Sequence, residues 1–219
     1  MDQAYLAPTA IIDSDHPSIR ALASEAAGDA RDERERAVNI YYAVRDRIRY
    51  NPYAMTLTED HFRASSTLAR GEGFCITKAA LYAAALRAAG IPARLGFADV
   101  KNHLATRKLI EAMGNDLFAY HGYTDVWLDG RWVKATPAFN LSLCEKFRVL
   151  PLEFDGRGDS IFHPFDADGR KHMEYVRDRG TYADVPLADI KACFEEIYPN
   201  LYKHKDNDFA AEAAAENRT

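Results

Sequence analysis

The segment from Cys75 to Ala89, Cys-Ile-Thr-Lys-Ala-Ala-Leu-Tyr-Ala-Ala-Ala-Leu-Arg-Ala-Ala, constrains this fold more than any other part of the chain. Its residues are strong helix formers, and it contains neither glycine nor proline. Apolar side chains fall on almost every face, so the helix has no side to offer to water and must be wrapped by other elements. Gly90-Ile91-Pro92 stops it, because glycine suits the residue past a helix end and proline cannot continue the helix. A chain of 219 residues, 47% of them hydrophobic, is long enough to build that wrapping.

The remaining pattern supplies the wrapping elements. Ile19, Leu22 and Ala26, then Ala37, Ile40, Tyr41, Val44 and Ile48, predict two amphipathic helices between Pro17 and Tyr50, separated near Gly28-Asp29. Ser65, Ser66 and Thr67 are available to cap a short turn at Leu68-Ala69-Arg70. Ala93 to Val100 reads as a strand. Residues 119–128 and 131–136 read as a hairpin around Asp129-Gly130, the dipeptide that a two-residue type I′ turn prefers. Further short strands are expected in 147–185, around the turn Asp166-Ala167-Asp168-Gly169, and a last helix in 187–198. Residues 205–219 show no periodic face and are expected to form a disordered tail. Helices followed by a buried helix on an antiparallel sheet make an α+β domain, taken as a single unit over residues 1–204.

Charge and cysteine usage exclude several classes of function. A net charge of −5, with Lys and Arg dispersed among acids, leaves no basic footprint for nucleic acid or an anionic membrane. No apolar run approaches the ~18 residues that span a bilayer, and the N-terminus lacks a signal-peptide pattern, so a cytoplasmic protein is expected. Cys75, Cys144 and Cys193 form no Cys-x-x-Cys pair, so neither a disulfide framework nor a zinc site is expected.

Cys75 opens the buried helix, and this is a position that activates thiols. Unsatisfied N–H groups and the positive end of the helix dipole favour a thiolate there, and Gly71 and Gly73 allow a sharp entry. The bland alternative is a cysteine packed as a small hydrophobe. A nucleophilic thiol also needs a base, and His121 lies on the strand leading into the hairpin. With Leu128 opposite Arg131, side-chain alternation puts Thr136 and Asn140 diagonal to His121, where either could orient the imidazole. Pro137 marks where regular pairing is expected to stop. The Cys75 N–H is a candidate oxyanion donor.

These residues resemble the transglutaminase-like superfamily, a branch of the papain-like cysteine enzymes. The resemblance rests on Gly73-x-Cys75-x-x-x-Ala79-x-Leu81, on Leu-Arg-Ala-Ala-Gly-Ile-Pro-Ala-Arg behind it, and on the run from His121-Gly-Tyr-Thr-Asp to Lys134-Ala-Thr-Pro137. It covers residues 10–140, leaving 141–204 as a family-specific extension. It implies a cysteine-bearing helix packed on an antiparallel sheet, and a Cys-His-Asp triad acting through a thioester. Cys75 would be the nucleophile and His121 the base, but the aspartate position holds Thr136. A threonine hydroxyl can accept a hydrogen bond yet brings no negative charge. Asn140 could orient the imidazole instead, as asparagine does in papain-like enzymes. Asp125 lies about 13 Å along the strand and is a poor substitute.

The expected function is cysteine-dependent acyl transfer, with hydrolysis of an amide or peptide bond as the favoured outcome. The substrate would be a peptide, protein or small amide. No metal or organic cofactor is expected, since thiolate and imidazole perform the chemistry. The alternative is a catalytically inactive peptide-binding module of the same fold. Other polar residues have simpler readings. Lys78, one turn past Cys75, reads as a solvated helix lysine and only secondarily as a thiolate partner. His163 and His172, with Glu174, are weak candidates for the cleft rim. Trp127 and Trp132 read as a cross-strand pair, and Cys144 and Cys193 as core thiols.

Overall fold

The computed structural model describes residues 2–103, 105–161, 172–198, 200 and 207–216. After a short 3-10 turn at Gln3–Tyr5, the order is α1 (Pro17–Ala27), α2 (Glu33–Arg47), β1 (Arg49–Tyr50), α3 (Glu59–Phe62), α4 (Ala64–Arg70), β2 (Glu72–Gly73) and α5 (Cys75–Ala88). There follow β3 (Ala93–Asn102), α6 (Arg107–Met113), β4 (Leu117–Leu128), β5 (Arg131–Ala135), α7 (Leu141–Phe147), β6 (Met173–Tyr182), α8 (Leu187–Ile197) and α9 (Phe209–Glu216). The four-stranded sheet has the order β5-β4-β3-β6 and is antiparallel throughout. The α+β architecture expected from the sequence is the one observed.

Helix α5 occupies the centre: every residue from Ile76 to Arg87 is buried. Helices α1, α2 and α4 cover one side and β4 the other. Two basic side chains are enclosed with it, and each satisfies backbone carbonyls. Arg87 donates to the carbonyls of Ala7 (2.8 Å), Ala93 (3.0 Å) and Ala183 (2.5 Å), tying the N-terminal segment, β3 and the β6–α8 connection to the end of α5. Lys78 Nζ donates to the carbonyls of Arg45 (2.8 Å) and Ile48 (2.5 Å), groups left without helical partners where α2 ends. The solvated reading of Lys78 is therefore wrong. A lysine on a helix buried all round has no water within reach, and the end of α2 takes its place.

The hairpin has the expected register, with Leu128 opposite Arg131 and Trp127 opposite Trp132, whose ring centroids are 5.2 Å apart. Asp129 and Gly130 both have positive φ, as a type I′ turn requires. Pairing stops at Ala135, where the chain leaves β4 and the Thr136 N–H donates to the Ser160 carbonyl instead.

Three local expectations are corrected. Helix α4 begins at Ala64, so Ser65, Ser66 and Thr67 lie inside it; its cap is remote, Asp13 Oδ1 accepting the Ser65 N–H at 3.0 Å. Among the described residues of 147–185, one ten-residue strand, β6, extends the sheet beside β3 where several short strands were expected; Asp166, Asp168, Gly169 and His163 lie outside the described residues. Phe209–Glu216, expected in the disordered tail, form α9, which buries Phe209, Glu212 and Ala213. The buried Glu212 carboxylate accepts from the hydroxyls of Tyr53 (2.8 Å) and Thr106 (3.0 Å). An acidic residue at the centre of the buried stripe hides the amphipathic pattern from hydropathy.

Candidate active site

Cys75 is the first residue of α5, and the N-cap before it is Phe74, whose side chain cannot accept a hydrogen bond. Thr77 Oγ1 accepts the Phe74 N–H at 3.0 Å, and no capping side chain competes for the N–H groups of Cys75 and Ile76. These two groups, with a third from Gly122, act on the Cys75 sulfur. The entry to the helix is tight, since a Cβ at Gly73 would lie 2.4 Å from Thr77 Oγ1. Strand β4 comes equally close from the other side: a Cβ at Gly122 would meet Ile76 Cα at 3.0 Å.

Burial pushes the Cys75 pKa up to about 11, against the pull of three backbone donors. Desolvation in the apolar cleft thus opposes the activation expected from the helix terminus. His121 is 3% exposed, and burial drives its imidazole down to about 3; a backbone hydrogen bond with Gly122 opposes the shift, and nearby His172 adds to it. The resting pair is thus a neutral thiol and a neutral imidazole, with the Gly122 backbone acting on both.

His121 follows a break in the sheet. Ala98 pairs with His121 and Val100 with Phe118, which leaves Ala119 and Tyr120 of β4 opposite Asp99 alone. Such a bulge bends a strand and re-aims the side chains beside it. Tyr120 takes a left-handed conformation, φ 52°, rare for a bulky residue. Asp99 is buried and accepts the Tyr120 N–H at 3.0 Å, while Arg179 on β6 grips the same carboxylate at 2.8–3.0 Å. The Arg179 guanidinium lies 4.5 Å from the centre of the Tyr120 ring.

The two candidate orienters fare differently. Asn140 Oδ1 accepts the Tyr50 N–H at 3.0 Å and its Nδ2 donates to Ser142 Oγ at 2.8 Å, so both ends of the amide are engaged away from His121. The proposed diagonal placement of Asn140 fails because β5 ends five residues earlier, and Asn140 instead begins α7. Thr136 is 1% exposed; its backbone bonds to Ser160 and Tyr41, while its Oγ1 has no hydrogen-bond partner among the described residues. Asp125 is paired with Arg94 at 3.0 Å. Cys144 is buried, as expected of a core thiol, whereas Cys193 is half-buried beside Arg179. Among the described residues, no group of three His, Cys, Asp or Glu side chains is placed to hold a metal ion, and no helix is long and apolar enough to cross a membrane.

Cys75 and His121 line one cleft of about 430 Å³, counting the part open to solvent. Its walls come from Tyr50, Phe74, α6, the start of β4 and α8. These wall residues escaped the sequence reading because each is an ordinary core-type side chain until five separate elements converge.

A model of the transglutaminase-like superfamily core matches residues 20–137, more than half of the chain. The chain belongs to the transglutaminase-like superfamily. No curated protein matches it in sequence. Among solved structures, it is similar to that of a candidate cysteine protease from Cytophaga hutchinsonii, with 18% identity, 81% of this chain and 53% of that chain covered, and a TM-score of 0.48. This chain thus spans about half the length of that protein. In this transglutaminase-like protein, Cys75, His121 and Thr136 fall within the matched core, whereas Asn140, α7, β6, α8 and α9 lie beyond it.

Proposed function

We propose that this protein is a cysteine-dependent acyl-transfer enzyme that cleaves an amide or peptide bond through a thioester on Cys75. The observation that carries this reading is the convergence of Cys75 and His121 on one cleft, joined through the Gly122 backbone. Because both groups rest neutral, the thiol proton passes to the imidazole as the sulfur attacks the carbonyl carbon, as in a serine-type mechanism. The carbonyl oxygen gains negative charge, for which the N–H groups at the start of α5 are suited donors. Collapse breaks the C–N bond, the imidazolium returns its proton to the leaving amine, and the acyl group stays on sulfur. Water, deprotonated by His121, then hydrolyses the thioester. Thr136 is the proposed orienting residue, since its buried hydroxyl makes no hydrogen bond among the described residues and is left open to His121, whereas Asn140 is engaged elsewhere.

One observation favours the second reading, a binding module without turnover. The third position offers a hydroxyl in place of a carboxylate, so Thr136 brings no negative charge to an imidazolium that burial already disfavours. Incubation with p-nitrophenyl acyl esters separates the two. The enzyme reading expects a burst of nitrophenolate, a matching mass gain on Cys75, loss of both in Cys75→Ala, and a strong decrease in His121→Ala. Acylation of Cys75 that is indifferent to His121, or none at all, puts the binding module first.

A further inference from the structure

The walls of the Cys75 cleft carry more information than its floor. Leu109 and Met113 of α6, Phe118 at the start of β4, and Phe194 and Tyr198 at and just after the end of α8 surround the space beside the sulfur. Among the described residues, no Asp, Glu, Lys or Arg side chain lines it. Two tyrosines contribute to this lining. Tyr198 Oη donates to the Leu117 carbonyl and accepts the Ala119 N–H, both at 2.6 Å, so Tyr198 presents its ring. Tyr50 lines the cleft beside Cys75. With few polar groups on these walls, a charged group placed here would lose its hydration for little return, whereas an apolar group loses nothing. The space is small and opens to solvent, and its walls are almost wholly apolar.

From this we infer that the acyl group transferred to Cys75 carries a bulky, uncharged, apolar substituent, aromatic or branched aliphatic, which enters the pocket walled by α6 and α8. The inference rests on the acyl-transfer reading, because the sulfur on the pocket wall fixes where the acyl carbon sits. The substituent on that carbon then meets the apolar walls that include Met113 and Phe194. Helix α8 lies beyond the residues matched by the superfamily model, so this wall belongs to the present chain's own extension.

The test is a series of p-nitrophenyl esters, acetate, hexanoate and 3-phenylpropanoate, with Cys75 acylation followed by intact mass. Acylation by the phenylpropanoate is expected to exceed that by the acetate at least tenfold. Met113→Glu and Phe194→Ala are expected to bring the ratio of phenylpropanoate to acetate acylation close to one, with Cys193 alkylation and urea midpoint reporting that the variants remain folded. Equal rates along the series, or a preference that survives both substitutions, overturns the inference. If no ester acylates Cys75, the acyl-transfer reading fails by itself, and alkylation decides the pocket. N-benzyl iodoacetamide should then label Cys75 faster than iodoacetamide does, relative to half-buried Cys193. Equal relative rates would overturn the pocket as well.

Discussion

The Asp99 carboxylate accepts the backbone N–H of Tyr120, the residue that immediately precedes His121, at 3.0 Å. This bond links the sheet to the site, because Tyr120 holds a left-handed conformation that its side chain disfavours. Arg179 neutralises the buried charge that does the holding. Asp99→Ala should therefore cost about 3–5 kcal/mol, the range for breaking a buried pair from one side. Asp99→Asn keeps an acceptor for Tyr120 and should cost less. Urea denaturation measures both. The His121-dependent part of Cys75 acylation should fall in the same order; equal acylation in all three proteins would detach the bulge from the placement of His121.

His121 makes stability depend on pH. Its folded pKa is depressed to about 3, below the ordinary value of 6.5, so the unfolded chain binds a proton that the folded protein refuses. The stabilisation is complete above pH 6.5 and is lost as pH falls toward 3. His121→Gln should flatten the decrease in urea midpoint between pH 7 and pH 4. A variant with the same slope as the wild type would show that the imidazole takes up its proton freely in the folded state.

Cys75 predicts the opposite limb. With its thiol pushed up to about 11, alkylation by iodoacetamide at pH 7 should be slower than for a free thiol of pKa ~8.5, and should rise steeply between pH 9 and 11. Peptide-resolved mass spectrometry separates Cys75 from Cys144 and Cys193. A Cys75 profile with its midpoint below ~8.5 would mean that a thiolate–imidazolium pair already exists at rest.

Lys78 is a structural donor, and Lys78→Met tests it. Methionine fills similar space but leaves the carbonyls of Arg45 and Ile48 without their donor. The expected loss is about 2–4 kcal/mol, from the desolvation of unsatisfied buried acceptors. Wild-type stability in Lys78→Met would mean that those carbonyls find water or another donor.

The last helix should be more than an appendage. Phe209 packs against Phe147 and Tyr50 with ring centroids 5.2 and 5.8 Å away, and Tyr50 lines the cleft. Glu212→Ala leaves the Tyr53 and Thr106 hydroxyls without their acceptor and should cost about 1–3 kcal/mol. Limited proteolysis near residue 208 should accelerate in that variant. An unchanged cleavage rate would show that α9 is held by its apolar contacts alone.

Much of this architecture was legible because it depends on neighbours along the chain. Helix propensity and an unbroken apolar run define α5, and Asp129-Gly130 sets the β4–β5 register. The spacing of those two segments nominates Cys75 and His121. Less was legible wherever a remote partner decides the outcome. Asp13 caps α4 from 52 residues away, and Asn140 turns to Tyr50 because β5 stops at Ala135.

The sequence by itself determined α1, α2, α5, β3, the β4–β5 hairpin and α8, that α5 must be buried, and which thiol and imidazole stand on α5 and β4. These follow from local backbone preferences and hydrophobic periodicity, which act over a few residues. Only the tertiary structure decided the protonation states of that pair, the burial of Lys78 and Glu212, and the apolar walls around Cys75. These depend on how completely water is removed and on which groups replace it, and the replacing groups come from elements far apart in the chain.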